Sequence, residues 1–285
     1  MDNQKNLILA VVFSILVLLV FDTFFAPKKP VLDKKAETEQ VELLNKNSNL
    51  PSISKEDVPK NTSKIKEKRI SFDMKRIKGT INLYGATFDD IILKDYFKTL
   101  KKKDENIKVL LKENSQNPYF LRIGWASSNK NLDLPDKDSL WSSEKLAYEF
   151  GEKILLKWIN KNGILFERLI TFDENFMISI EDSVFNKSDK PIQLTNFTYL
   201  QRRNYRPENK FFILHEGPLG VFNDTLKEVS YEDIEEEGEI IETSKNGWIG
   251  YTDHYWQVAI FPDTNESFKA RFKNISSSNN SVQVD

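Results

Sequence analysis

Leu7 to Phe25, LILAVVFSILVLLVFDTFF, constrains this chain before any other feature does. The run carries a single charge, Asp22. About 20 residues at about 1.5 Å each reach about 30 Å, the hydrocarbon thickness of a bilayer. Its Leu, Ile, Val and Phe side chains favour insertion by roughly 0.3 to 0.6 kcal/mol each, which outweighs the roughly 3 kcal/mol that one aspartate costs at most. Asp22 also sits within a turn of the end, in reach of the headgroups. Residues 1–26 therefore read as a transmembrane anchor. A cleaved secretory signal is the rival reading, and the exit Phe24-Phe25-Ala26-Pro27 opposes it. The small-x-small pattern is missing, and Pro27 would follow the scissile bond.

Residues 27–66 have a different character. They are charged, polar and punctuated by Pro27, Pro30, Pro51 and Pro59, with no aromatic residue. Such a stretch buries too little apolar surface to offset its ordering entropy, so a flexible linker is expected. Lys28, Lys29, Lys34 and Lys35 would place this side of the anchor in the cytoplasm on a simple positive-inside count. That rule fails for long translocated segments, and charge alone leaves the topology open.

The bulk numbers exclude whole classes of function. The 285 residues hold 41 basic and 43 acidic side chains, a net charge of −2. Nucleic acid is not an expected partner, because phosphate binding needs a concentrated basic face. Without cysteine there is no disulfide, thiolate catalysis or cysteine-ligated metal. His215 and His254 are the only histidines, too few for a three-histidine metal site. A hydrophobic content of 39% with 20 Phe is enough for one large core.

From about residue 67 the pattern has period two, the mark of half-buried strands. Ile70, Phe72 and Met74 alternate with Arg69, Ser71, Asp73 and Lys75. Tyr119, Leu121, Ile123 and Trp125 share one face of a second strand. Phe176, Ile178, Ile180 and Val184 line a third, broken only by Asp182. Phe268, Ala270 and Phe272 oppose Lys269, Arg271 and Lys273. The spacing predicts a hairpin from Lys153–Ile159 and Ile164–Phe172, closed by Asn160 to Gly163, where Asn-Gly supplies positive φ angles. Asp173-Glu174-Asn175 and Asn186 to Pro191 read as further turns. Strands joined by short polar turns over residues 67–285 predict a mainly β fold, a large antiparallel two-sheet sandwich with no long helix. The runs Lys101 to Lys103 and Glu235 to Glu237 read as solvated loop tips.

No phosphate-binding loop, dinucleotide fingerprint, metalloprotease helix, hydrolase elbow or calcium loop occurs. Two stretches concentrate the unusual residues. In FFILHEGPLGVFND, Phe211 to Asp224, His215 and Glu216 could pair a base with an acid, and Gly217, Pro218 and Gly220 shape an irregular loop. In GWIGYTDHYWQVAIFPD, Gly247 to Asp263, residues Gly247, Trp248, Gly250, Asp253, Tyr255 and Trp256 surround His254. Together they could line a carbohydrate cleft, making the chain an anchored sugar-binding or sugar-epimerising sandwich. The simpler reading is that Gly and Pro shape bends, aromatics fill core, and the histidines bond locally. Adjacent strand residues point to opposite faces, so His215 and Glu216 do not meet over one substrate. No enzyme activity, metal or cofactor is expected.

The same two stretches, with the opening MDNQKNLILAVVFSILVLLVFDTFFAP, GTINLYGATFDDIILKDY (Gly79 to Tyr96) and PYFLRIGW (Pro118 to Trp125), resemble the YidC family of bacterial membrane protein insertases, in that family's order. The resemblance implies a cytoplasmic N-terminus, one inner-membrane crossing and a periplasmic β-supersandwich akin to galactose mutarotase. It implies a role in inserting, folding and assembling inner-membrane proteins. The implied partners are inner-membrane lipid, the SecYEG and SecDF translocon components and nascent clients. Family members continue into further transmembrane helices that carry the insertase groove. This chain is accordingly expected to be an N-terminal portion, with its β domain incomplete at the C-terminus, and no groove residue can be carried onto it.

Overall fold

The structure, a computed structural model, describes residues 66–100, 105–205, 215–263, 267–276 and 281–285. The proposed anchor Leu7 to Phe25, residues 27–65 of the linker and the lysine run at 101–103 lie outside the described residues. Among the described residues no helix is long and apolar enough to cross a membrane.

The fold begins with β1 (Arg69–Asp73), β2 (Ile77–Asn82), β3 (Thr87–Phe97), β4 (Asn106–Leu110) and β5 (Tyr119–Ala126). Two short strands, β6 (Ser142–Ser143) and β7 (Ala147–Glu149), precede β8 (Ile154–Ile159), β9 (Leu165–Phe172), β10 (Ile178–Phe185) and β11 (Thr195–Arg202). Then come β12 (Gly217–Phe222), β13 (Thr225–Glu228), the helix α1 (Tyr231–Glu237), β14 (Glu239–Ser244), β15 (Gly247–Thr252), β16 (Gln257–Ile260), β17 (Phe268–Ser276) and β18 (Ser281–Val284).

These strands make one large sheet in the order β14-β17-β18-β11-β5-β3-β2-β1-β7, with β4 also paired to β3. Two four-stranded sheets, β10-β9-β8-β6 and β13-β12-β15-β16, pack on it. Aromatic contacts fix the layering. Phe72 of β1 stacks on Phe172 of β9 at 5.0 Å, and Trp125 of β5 meets Phe166 of β9 at 6.3 Å. Farther along the large sheet, Tyr119 of β5 contacts Tyr251 of β15 at 5.8 Å, and Phe222 of β12 contacts Phe272 of β17 at 6.1 Å. Both small sheets thus bear on one face of the large one and share its core with Ile70, Phe72 and Met74. Each fully buried aliphatic or Phe side chain contributes about 1.5–3 kcal/mol.

The mainly β, antiparallel expectation holds, and several details differ. The layer opposite the large sheet is two sheets, not one. Pairing is antiparallel except for β1 with β7. β5 is buried on both faces rather than one. Its outer face is covered because Arg122 donates to Thr87 Oγ1, Tyr199 Oη and Glu113. The β8–β9 hairpin forms with Gly163 at φ 77°, but Asn162 keeps a negative φ. There the Asn160 carboxamide oxygen accepts from the amides of Asn162 and Ile164 and shapes the turn. Phe176 precedes β10 instead of belonging to it. Glu235 to Glu237 end α1, which starts at Ser230 through a reciprocal Ser230–Asp233 capping box.

Asp182, which interrupts the apolar face of β10, has a physical reason to be there. Directly opposite in β9 is Arg168, whose Nε and Nη2 each donate to the Asp182 carboxylate at 2.7 Å. Arg168 Nη2 also donates to Ile123 O of the large sheet at 3.2 Å, and the guanidinium lies 5.1 Å from the Trp141 ring centre. Arg168 is fully buried. The break in hydrophobic alternation is an ion pair pinning two layers.

Candidate functional site

The two unusual stretches fold against each other. β12 and β15 pair antiparallel, with Gly217 opposite Thr252, Leu219 opposite Gly250 and Phe222 opposite Gly247. Gly217, Pro218 and Gly220 therefore lie in a strand, not in an irregular loop. The glycines permit close backbone approach. A Cβ at Gly247 would sit 1.8 Å from Val221 O, and one at Gly250 2.1 Å from Val258 O. One at Gly220 would sit 2.5 Å from the Phe222 ring. Bends are not their purpose.

The β15–β16 hairpin turns through Asp253, His254, Tyr255 and Trp256, closed by the Asp253 amide donating to Trp256 O at 2.7 Å. Below the turn Asp253 pairs with Arg202 at the end of β11. The Arg202 guanidinium is sandwiched between rings, 3.4 Å from the Tyr205 centre and 4.7 Å from that of Tyr119. Tyr231 of α1 reaches the same place, 6.1 Å from Tyr205. His215 and Glu216 precede β12 and take different partners. His215 Nε2 lies 2.8 Å from Pro218 O, while Glu216 meets His254 Nδ1 at 3.2 Å and the Tyr205 hydroxyl at 3.4 Å. Tyr255 projects into solvent and packs edge-on against His254, with ring centres 4.1 Å apart. Trp248 lies 6.2 Å from Phe261.

Burial dominates the electrostatics of this junction. Desolvation works against the Arg202 charge, but Asp253 and the surrounding phenols outweigh it, so the guanidinium stays firmly cationic. Burial raises the phenols of Tyr119, Tyr231 and Tyr251 far above their ordinary range. Tyr205, less enclosed, is pushed up to about 12 by burial and then by Asp253. The folded state thus holds these protons more tightly than the unfolded chain, in which tyrosine ionises near about pH 10. This contribution to stability is complete below about pH 10 and is lost as pH rises through the shifted values. In an alkaline titration, part of the nine tyrosines should ionise only as near-ultraviolet dichroism collapses. Smooth ionisation of all nine near pH 10 with the fold intact would contradict this.

On the other side of the hairpin is a cleft of about 620 Å³ between the two small sheets. Phe88, Ile91, Leu93 and Leu121 of the large sheet form its floor. One wall is the β9–β10 turn with Phe176, Met177 and Ile178, and the other is Trp256 to Ala259 with Phe261. Trp256 packs edge-on against Tyr96 at 4.8 Å, and Arg76 lies 4.2 Å from the Phe176 ring centre. Phe176 and Phe261 remain 40% and 57% exposed at the rim.

The sequence singles out the stretch Gly247 to Asp263, though not as a hairpin, and does not single out Arg202 and Tyr205, which meet its turn. Arg202 ends β11 and Tyr205 follows it, and a cation near aromatics at a strand end is the available signal. The cleft had no local signal, because residues from 77 to 261 converge on it.

The fold and this junction define a mainly antiparallel β-sandwich whose unusual residues build one hairpin and one wall of an apolar cleft. Residues 69–285 match the family model of the YidC periplasmic domain, and the chain belongs to that family. It is 32% identical over 278 residues to the membrane protein insertase YidC of Rickettsia canadensis (strain McKiel), a match covering 95% of this chain and 49% of that protein. The proteins of the same name from Rickettsia rickettsii (strain Iowa) and Rickettsia africae (strain ESF-5) are 30% and 31% identical, with the same coverage. The chain spans about half the length of these curated relatives.

Proposed function

We propose that this chain is the membrane-anchored, periplasm-facing part of a YidC-type insertase of the bacterial inner membrane. Residues 1–26 cross the membrane from a cytoplasmic N-terminus, residues 27–66 form the linker, and residues 67–285 form a supersandwich of the galactose-mutarotase kind. The observation that carries the reading is the unbroken family match over residues 69–285, with relatives named as insertases aligned along 95% of the chain. The domain works by binding rather than by bond chemistry. Glu216 and His254 contact each other, and Asp253 is held by Arg202, so the acidic and basic groups of the junction brace the hairpin. Its partners are inner-membrane lipid, SecYEG, SecDF and nascent membrane-protein clients.

The test is topological and biochemical together. Protease added to spheroplasts expressing residues 1–285 should digest the β domain while a cytoplasmic control survives. Gentle solubilisation and pull-down should recover SecYEG and SecDF components. Release of the domain as a soluble species cut after Ala26 would remove the anchor from the reading. A folded, membrane-held chain that recovers neither translocon component would remove those partners.

A further inference from the structure

We infer that one end of the sandwich docks on an anionic phospholipid bilayer surface. Ile159, Leu165 and Phe185 enter its interface, and four lysines reach its phosphates. The inference rests on the functional reading above only for the presence of a bilayer beside the domain.

Strand register builds the apolar part. Ile159 at the end of β8 is opposite Leu165 at the start of β9, and Leu165 is opposite Phe185 at the end of β10. Residues directly opposite share a face, so the three form one row across the last rung of this small sheet. Phe166, Arg168 and Ile170 of β9 are fully buried. Leu165 is one residue out of step with them, which puts the row on the outer face. Ile159 is 63% exposed and Phe185 47%. The next rung of that face is polar, Lys157, Glu167 and Ser183, so only the terminal row can enter an apolar layer without drawing charge in behind it.

Three loops frame this end, and hydrogen bonds hold them in place. Asn160 Nδ2 donates to Asp133 O at 3.0 Å, and the Lys161 amide donates to Asp133 Oδ2 at 3.2 Å. Ser127 Oγ donates to Gln193 O at 2.8 Å, and Asn186 Nδ2 donates to Lys190 O at 2.7 Å across the turn after Phe185. The loops carry Lys130, Lys161, Lys187 and Lys190, all exposed and none with an ion-pair partner among the described residues. Their only carboxylates are Asp133 and Asp189, so this end is positive on a chain whose net charge is −2. The linker joins at the same end. Phe88 opposite Leu121 sets β5 antiparallel to β3, so Ala126 lies beyond the start of β3. There Asn82 is opposite both Thr87 and Arg69, and its Nδ2 donates to Lys66 O at 3.0 Å.

Size and charge select the occupant. Three side chains in a row are too few for a stable protein interface, which buries about 1,000 Å² or more. A bilayer takes apolar side chains singly, and each lysine close to an anionic surface adds to the attraction.

The chain has no cysteine, so Asn162→Cys at the tip of the β8–β9 turn gives a unique site for an environment-sensitive fluorophore. Glu174→Cys, in the β9–β10 turn at the opposite end of the same sheet, is the control. Each labelled full chain is held in nanodiscs of phosphatidylcholine, with or without phosphatidylglycerol, that contain a doxyl-lipid quencher. The β8–β9 label should be quenched about threefold more with phosphatidylglycerol than without it, and high salt should erase the difference. The control label should be quenched in neither disc. Lys130→Gln, Lys161→Gln, Lys187→Gln and Lys190→Gln together should lower the ratio of docked to free domain about tenfold or more, with an unchanged dichroism spectrum. Phe185→Ser should reduce the quenching as well. Equal quenching in the two discs, or of the two labels, would overturn the inference, and so would quenching that ignores the lysine changes. An unquenched label that becomes protected as the chain is concentrated would make this end an interface between copies of the chain instead. Failure of the anchor would free the chain from phosphatidylcholine discs, whereas failure of docking would leave it held there with an unquenched label.

Discussion

Asp182→Ala is expected to lower the unfolding free energy by about 3–5 kcal/mol, because it strands a charge in the core. Arg168 is fully buried, and Asp182 supplies both strong acceptors for its guanidinium. Ile123 O accepts one further bond, and the remaining Nη1 has no hydrogen-bond partner among the described residues. Replacing both partners with apolar residues, Arg168→Met with Asp182→Leu, should recover most of the loss, since neither change then leaves an unmatched charge. Urea unfolding monitored by tryptophan fluorescence measures both, with the midpoint falling at an unchanged slope. A loss below about 1 kcal/mol for the single variant would mean that water reaches Arg168 and the pin is not dry.

The second large effect is expected at Gly247. Its φ of 119° lies in a region L residues rarely adopt, and its missing Cβ leaves room for Val221 O. Gly247→Ala meets backbone strain and overlap with backbone together, each costing about 1–3 kcal/mol, so a loss of about 3 kcal/mol or more is expected. Gly163→Ala is the control. Gly163 also has a positive φ, 77°, but open space surrounds its Cβ position. It should cost only about 1–2 kcal/mol. Equal losses at the two sites would show that conformation alone decides, and that the close approach of β12 and β15 does not matter.

What was legible in the sequence was whatever one strand states by itself. Phe268, Ala270 and Phe272 alternate with charges and form β17 on the register their pattern implies. Asp182 looked like a defect because its reason lies in Arg168, 14 positions earlier and across a ladder. Gly217, Pro218 and Gly220 suggested a loop because local propensity punishes them in strands. Tertiary contact reverses that judgement, since close packing requires glycine, and Pro218 faces Tyr251 at a non-bonded position, so the β12–β15 ladder loses no bond to its missing N–H. Glu235 to Glu237 carried no apolar periodicity, yet α1 needs only Tyr231 and Ile234 to bury. The divided upper layer and its cleft depend on where distant strands stop, which no local pattern encodes. Arg202 and Tyr205 escape it for the same reason, as their partner Asp253 lies in the turn between two strands of another sheet.

The place of β18 has a kinetic consequence. Ser281–Val284 pairs with β17 on one side and β11 on the other, and Asp285 exchanges two backbone bonds with Arg271. The most C-terminal strand described is thus interior to the large sheet, bridging residues near 200 to residues near 272. A chain delivered from its N-terminus would expose β11 as an open edge until residues 281–285 follow it. The β11–β18 pairing joins residues about 80 positions apart, so closing this part of the sheet is a long-range event. Until then the unpaired edge must be kept from other strands, whether by speed or by a chaperone.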